Sequence, residues 1–178
     1  MKKLITMFIP LMLCASVQAM GFTVWGLTEQ ATSVNSDNSL TGRVGYYLGS
    51  DNGGLELFVG SIWRVNDKAP QVMTLGAVQH MADLLDPNGP IPFIPDLLLP
   101  IINENVSIRP YIGGRFTINF VDEDAGLFGG IAGIAVKLSP DANSELVFEG
   151  SYDNTFGDLN SVPDNEFKAY MGFRIPFK

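Results

Sequence analysis

The chain is short of the residues on which most soluble chemistry depends. Its 178 residues include one cysteine and one histidine. Cys14 lies in an N-terminal segment expected to be removed. The mature chain then has no disulfide, no thiolate metal site and no cysteine nucleophile. With His80 alone, any Ser–His arrangement would have to be built on that residue. Basic residues are also scarce, 11 against 19 acidic, for a net charge of −8. A nucleic-acid partner would want a basic stripe, and none is present. Beyond the N-terminal segment there is no run of about eighteen apolar residues, which excludes a membrane-spanning helix. No internal repeat or low-complexity tract stands out. Glycine is abundant, with 19 residues, and its spread suits many short strands joined by tight turns. The length suits one domain.

Residues 1–19 read as a secretory signal peptide. Lys2 and Lys3 supply the positive start, Leu4 to Ala15 a short apolar run, and Val17-Gln18-Ala19 small residues at a cleavage site placed after Ala19. A lipoprotein signal needs a small residue before the cysteine, and Leu13 precedes Cys14. Loss of the two leader lysines makes the mature chain more acidic still.

Eight strands can be read from period-two alternation: about Phe22 to Gln30, Leu40 to Gly49, Leu55 to Val65, Gln71 to Gln79, Ser107 to Val121, Leu127 to Leu138, Glu145 to Phe156, and Asn165 to Lys178. In the second, Leu40, Val44, Tyr46 and Leu48 alternate with Thr41, Arg43, Gly45, Tyr47 and Gly49. In the fifth, Ile112, Phe116, Ile118 and Phe120 alternate with Tyr111, Gly113, Arg115, Thr117 and Asn119. The fourth strand is ambiguous in its faces. Asp51-Asn52-Gly53-Gly54 is a strong hairpin signal. A two-residue Asn52-Gly53 turn would set Leu48 opposite Leu57, Tyr46 opposite Val59 and Gly49 opposite Glu56. The separately assigned apolar faces then fall on one side. A turn at Pro140 to Asn143 sets Lys137 opposite Glu145, and loop-length matching at the next hairpin sets Asp153 opposite Lys168.

Residues 83–105 break the pattern. Five prolines there exclude a regular strand or helix through the middle. The segment either caps one mouth of a barrel or lies against a lipid boundary through Ile91, Phe93, Ile94 and Leu97 to Leu99.

The final strand is the most specific. Phe167, Ala169, Met171, Phe173, Ile175 and Phe177 are apolar at every second position, over about the length that a tilted strand needs to cross a bilayer. Tyr170, Gly172, Ile175 and Phe177 resemble the C-terminal targeting pattern of outer-membrane β-barrels, polar–x–Gly–x–x–apolar–x–apolar with a terminal aromatic, though Lys178 follows the aromatic here. With the leader, this resemblance implies an all-β fold. The expectation is an eight-stranded antiparallel up-and-down transmembrane β-barrel over residues 20–178, similar in plan to OmpA/OmpX-type and opacity-protein barrels. It further implies a Gram-negative outer-membrane location, insertion by the outer-membrane assembly machinery, and surroundings of outer-membrane lipid and lipopolysaccharide. Both termini would lie in the periplasm.

Charge placement agrees with that plan. Arg43, Arg64, Arg109, Arg115, Lys137, Lys168 and Arg174 sit at positions turned from the apolar face, where Glu56, Glu149 and Asp153 can pair with them. A cation in mid-bilayer costs about 2–4 kcal/mol, whereas one inside a lumen can be hydrated or paired. A soluble barrel would show the same alternation with its faces exchanged. The leader and the final strand favour the membrane. An excess of inward bases would suit an anion-binding interior, and a narrow channel or small-ligand barrel is the first alternative role. The second is a lipid A-modifying enzyme, but Gln79-His80-Met81-Ala82-Asp83 lacks the histidine–x–serine pattern of deacylase barrels. His80 reads as a polar strand-end residue without a catalytic role. The acidic stretch Asp153 to Asp164 lacks calcium-loop spacing, so neither metal nor cofactor is expected. The role expected is non-enzymatic: envelope structure, or surface contact through Ala31 to Ser39, Asn66 to Pro70, Asp122 to Gly126 and Gly157 to Asp164, with a surface partner that the sequence does not identify.

Overall fold

The computed structural model describes residues 19–30, 39–50, 53–64, 72–89, 91–119, 126–156 and 165–177. The four loops expected to carry surface contacts lie almost wholly outside these residues, as does most of the expected leader. Eight strands are present: β1 (Ala19–Gln30), β2 (Ser39–Ser50), β3 (Gly53–Arg64), β4 (Val72–His80), β5 (Ser107–Asn119), β6 (Gly126–Lys137), β7 (Glu145–Phe156) and β8 (Asn165–Phe177). Each pairs antiparallel with its sequence neighbour, and β8 pairs with β1 to close the barrel. Closure leaves no strand edge with unpaired backbone groups, as hydrocarbon surroundings demand.

The barrel is inside-out relative to a soluble protein. Arg43, Glu56, His80, Arg115, Glu145, Glu149, Asp153 and Arg174 are buried inside it, among Trp25, Leu27, Phe58, Tyr111, Val147 and Tyr170. Phe22, Val44, Leu57, Ile112, Phe128, Phe148, Phe167 and Phe173 are exposed outside. This is the polarity of a wall that faces lipid. The ambiguous β4 turns Thr74, Val78 and His80 inward and exposes Leu75 and Gln79 outward.

Two registers differ from expectation by two residues. In the β2–β3 hairpin Ser50 faces Gly53, Leu48 faces Leu55, Tyr46 faces Leu57 and Tyr47 faces Glu56. The reason lies in a glycine contact. Gly49 and Gly54 pair so closely that a Cβ on either would come within 2.5 Å of the other's Cα. A register placing Glu56 opposite Gly49 would lose this approach. Gly53 has φ +121° and passes close under the His80 carbonyl. At the β7–β8 hairpin, Asp153 faces Glu166 and Ser151 faces Lys168. A slip of two preserves which face each side chain takes, so periodicity does not reveal it. The β6–β7 register is as expected, with Val136 opposite Leu146.

The proline-rich excursion contains a short helix, contrary to expectation: α1, Phe93–Leu98. Pro92 is its N-cap and Pro95 lies in its first turn, where no intrahelical N–H is needed. Pro100 follows the C-cap, Leu99. The prolines thus limit the helix to one short piece without preventing it. Asp83 Oδ1 accepts the backbone N–H of Leu85 at 3.0 Å and of Ile108 at 2.9 Å, which ties the two ends of the excursion together.

Candidate functional site: the charged lumen

The interior of an eight-stranded barrel is just wide enough for side chains, and here side chains from opposite walls meet across it. Glu56 on β3 is the hub at the end nearer the termini. Its Oε1 accepts from Thr23 Oγ1 and, at 2.6 Å, from Trp25 Nε1. Its Oε2 accepts from Arg174 Nε at 3.1 Å and lies 2.9 Å from His80 Nε2. An ionised carboxylate only accepts, so His80 Nε2 carries the proton in this contact. Arg174 also donates through Nη1 to Glu145 Oε2 at 2.6 Å, and Arg109 donates to the other oxygen of Glu145.

One level further in, Arg43 reaches from β2 to β7 and grips Glu149 with two parallel bonds of 2.7 and 2.6 Å. Tyr111 Oη donates to the same carboxylate at 3.1 Å. The Arg43 guanidinium lies 4.8 Å from the Phe58 ring centroid and 5.7 Å from that of Trp25, so its faces are covered by aromatic rings. Towards the far end, Arg115 Nε donates to Asp153 Oδ1 at 3.0 Å and Nη2 to Oδ2 at 2.5 Å. The same Nη2 lies 2.8 Å from Ser151 Oγ and 3.0 Å from Tyr170 Oη.

Inward glycines on β6 make this crossing possible. A Cβ on Gly129 would collide with the Asp153 carboxylate, and one on Gly133 would lie 2.5 Å from the Tyr111 ring. On β2, a Cβ on Gly45 would run into Glu56 and Thr23. The wall is thinned where the polar network needs room.

These positions refine the sequence reading. Arg43, Glu56, Arg115, Glu149 and Arg174 all belong to the buried network. Lys137 does not: it is half-exposed, and its Nζ donates to the Pro140 carbonyl at 2.6 Å. Its expected partner Glu145 is held by Arg109 and Arg174 instead. Asp153 is held by Arg115 from β5, not by Lys168, which is half-buried opposite Ser151. The side chain of Arg64 lies outside those described. Among the described residues, the buried guanidinium groups of Arg43, Arg115 and Arg174 and the half-buried one of Arg109 pair with the carboxylates of Glu56, Glu145, Glu149 and Asp153.

His80 is the residue the sequence most undersold. It is 2% exposed and forms part of the Glu56 hub, ringed by Trp25, Tyr47 and Tyr111 at centroid distances of 6.2, 5.6 and 5.3 Å. In β4 the apolar Val78 faces in and the polar Gln79 faces out, which hides the inward phase of His80. His80 Nε2 is engaged by Glu56, and the imidazole lies buried beneath three aromatic rings. Of the terminal-strand residues, Tyr170 is buried at Arg115, Gly172 pairs with Leu27, and Ile175 and Phe177 face outward opposite Val24 and Phe22.

No protein-family model and no curated protein sequence matches the chain. Among solved structures it is similar to a de novo designed transmembrane β-barrel, at 18% identity and TM-score 0.49, covering 88% of this chain and 95% of that one. It is also similar to neisserial surface protein A, at 14% identity and TM-score 0.46, covering 89% and 96%. Both likenesses are architectural, and the functional reading rests on this chain's own residues.

Proposed function

We propose that this chain is an integral outer-membrane β-barrel with a non-enzymatic role, in envelope structure or in surface contact through the loops at the end away from the termini. The observation that carries the reading is the inverted polarity: a pair-locked, charged interior inside an apolar wall. An enzyme of the bilayer needs its reacting groups at a lipid-accessible rim, whereas the buried titratable groups among the described residues pair with one another in the lumen. A channel needs a continuous aqueous path. Arg43–Glu149 and Arg174–Glu56 each join strands three apart across the interior, Arg115–Asp153 joins β5 to β7 over β6, and this supports a filled core. In this reading the leader is cleaved after Ala19, the assembly machinery reads the end of β8, and lipid and lipopolysaccharide surround the wall.

The test compares three readouts on one expressed protein. Heat-modifiable gel migration of the membrane fraction reports the barrel, planar-bilayer recordings report conductance, and mass spectrometry of lipid A reports catalysis. The reading expects a folded barrel, no discrete conductance steps and an unaltered lipid A profile. Steps in the bilayer would make it a channel, and an expression-dependent change in lipid A would make it an enzyme.

A further inference from the structure

The excursion between β4 and β5 carries an apolar surface that neither the barrel nor its lumen uses. Phe93 is 67% exposed, Leu97 66% and Ile101 80%, with Ile91 also exposed. Among the described residues, α1 packs extensively against no strand, and Pro95 is its buried residue. We propose that residues 91–102 form a wedge that inserts into the bilayer leaflet at the terminal end of the barrel, where its occupant is lipid acyl chain.

Three observations converge on lipid. The first is continuity with the wall. Met81, whose N–H bonds the Pro110 carbonyl at 2.8 Å, extends the outward face of β4, and Leu138 follows β6. Both are exposed, and they flank the strand into which the excursion returns. The second is backbone saturation. Irregular backbone is tolerated at membrane depth only where its polar groups are satisfied. Pro92, Pro95 and Pro100 have no N–H to satisfy. Ile94 donates to Ile91, Leu99 to Pro95, and Ile101 and Ile102 to Leu98, all within the segment. The third is composition. Apart from Asp96 in the first turn of α1, the exposed residues are aliphatic, phenyl or proline, without the Trp, Tyr and Arg that anchor protein interfaces. Asp96 is the one charged residue from 91 to 102, and the other polar residues stand at the ends, in the Asp86–Gly89 turn and the Asn103–Asn105 turn, where the segment would return to water.

The inference rests on the membrane reading, and the experiment separates the two. In a Cys14→Ser background, single cysteines at Leu97, Asn88 and Val44 are labelled with an environment-sensitive fluorophore, and each full chain is folded into phosphatidylcholine vesicles. Quenching is measured with iodide in the water and with nitroxide-bearing lipid in the bilayer. Gel migration of the same samples confirms folding, and Phe93→Cys stands in if Leu97→Cys fails to fold. The wedge requires Leu97 to lose fluorescence to nitroxide lipid as Val44 does and to resist iodide, while Asn88 responds to iodide. Iodide quenching of Leu97 equal to that of Asn88, with Val44 still lipid-quenched, would overturn the wedge and leave the barrel intact. Iodide access at Val44 would overturn the membrane reading itself. Protection of Leu97 only after soluble envelope proteins are added would assign the surface to a protein and also refute the proposal.

Discussion

Replacing Glu149 with Gln tests whether the lumen is a dry, pair-locked core. Glu149 is the carboxylate that holds Arg43 in two bonds, and both side chains are fully buried. The substitution keeps the shape, removes the charge and faces one guanidinium N–H with an amide donor. Arg43 already has one buried nitrogen, Nε, without a partner among the described residues, so it has little alternative bonding to fall back on. Breaking a buried pair by removing one partner costs about 3–5 kcal/mol, because the remaining charge is left uncompensated. At a slope of about 2 kcal/mol per molar urea, the unfolding midpoint should fall by roughly 1.5–2.5 M. Urea titration of the barrel folded into phosphatidylcholine vesicles measures this, followed by tryptophan fluorescence and by gel migration. Trp25 lies against Arg43, so the two readouts must coincide before a midpoint is assigned. The double variant Arg43→Met with Glu149→Gln should recover most of the loss, since apolar replacement of a buried pair is often neutral. A loss under about 1 kcal/mol for Glu149→Gln, in the range of solvated surface pairs, would show that water reaches the pair and would refute the closed interior.

Four further outcomes follow from the same geometry. Val44→Arg puts a cation on the lipid face and should cost about 2–4 kcal/mol in the same vesicle titration. Gly133→Val should cost roughly 1–3 kcal/mol by overpacking against the Tyr111 ring and the Phe148 carbonyl, and a neutral result would mean that β6 is not closely crossed. Phe177→Ala should lower the fraction of folded barrel in cells at equal expression, and unchanged heat-modifiable migration would count against β8 as the assembly signal. His80→Ala should leave lipid A composition unchanged while lowering barrel stability, because Glu56 loses one of its donors. A lipid A change in that variant would reinstate catalysis.

Strand alternation made most of this barrel legible from sequence. In β2, β5, β7 and β8 the period-two pattern is unbroken, and those strands take the faces it assigns. Long-range pairing was much less legible. Local reasoning matched Lys137 with Glu145 and Asp153 with Lys168 across neighbouring strands. The lumen instead lets Arg43 of β2 reach Glu149 of β7, and Arg174 of β8 reach Glu56 of β3, contacts for which periodicity carries no information. Of the buried pairs, Glu145 with Arg174 is the one whose partners sit directly opposite on adjacent strands. Both hairpin registers differ by two because a slip of two leaves every face unchanged; in β2–β3 the observed register brings Gly49 and Gly54 into close approach. In β4 the single inversion of Val78 and Gln79 was enough to conceal His80. In the excursion, counting prolines without their helical positions concealed α1, because Pro92 and Pro95 occupy the places where a helix tolerates them.

The central claim is that the apolar wall faces lipid and the charged wall does not. A nitroxide scan of consecutive single cysteines from Leu40 to Leu48 on β2, in folded vesicle-bound protein, tests it most directly. Collision with oxygen, which concentrates in hydrocarbon, should peak at Val44 and its even-numbered neighbours and fall at Arg43 and Gly45. Peaks at the odd-numbered positions, or no alternation along the strand, would contradict the account.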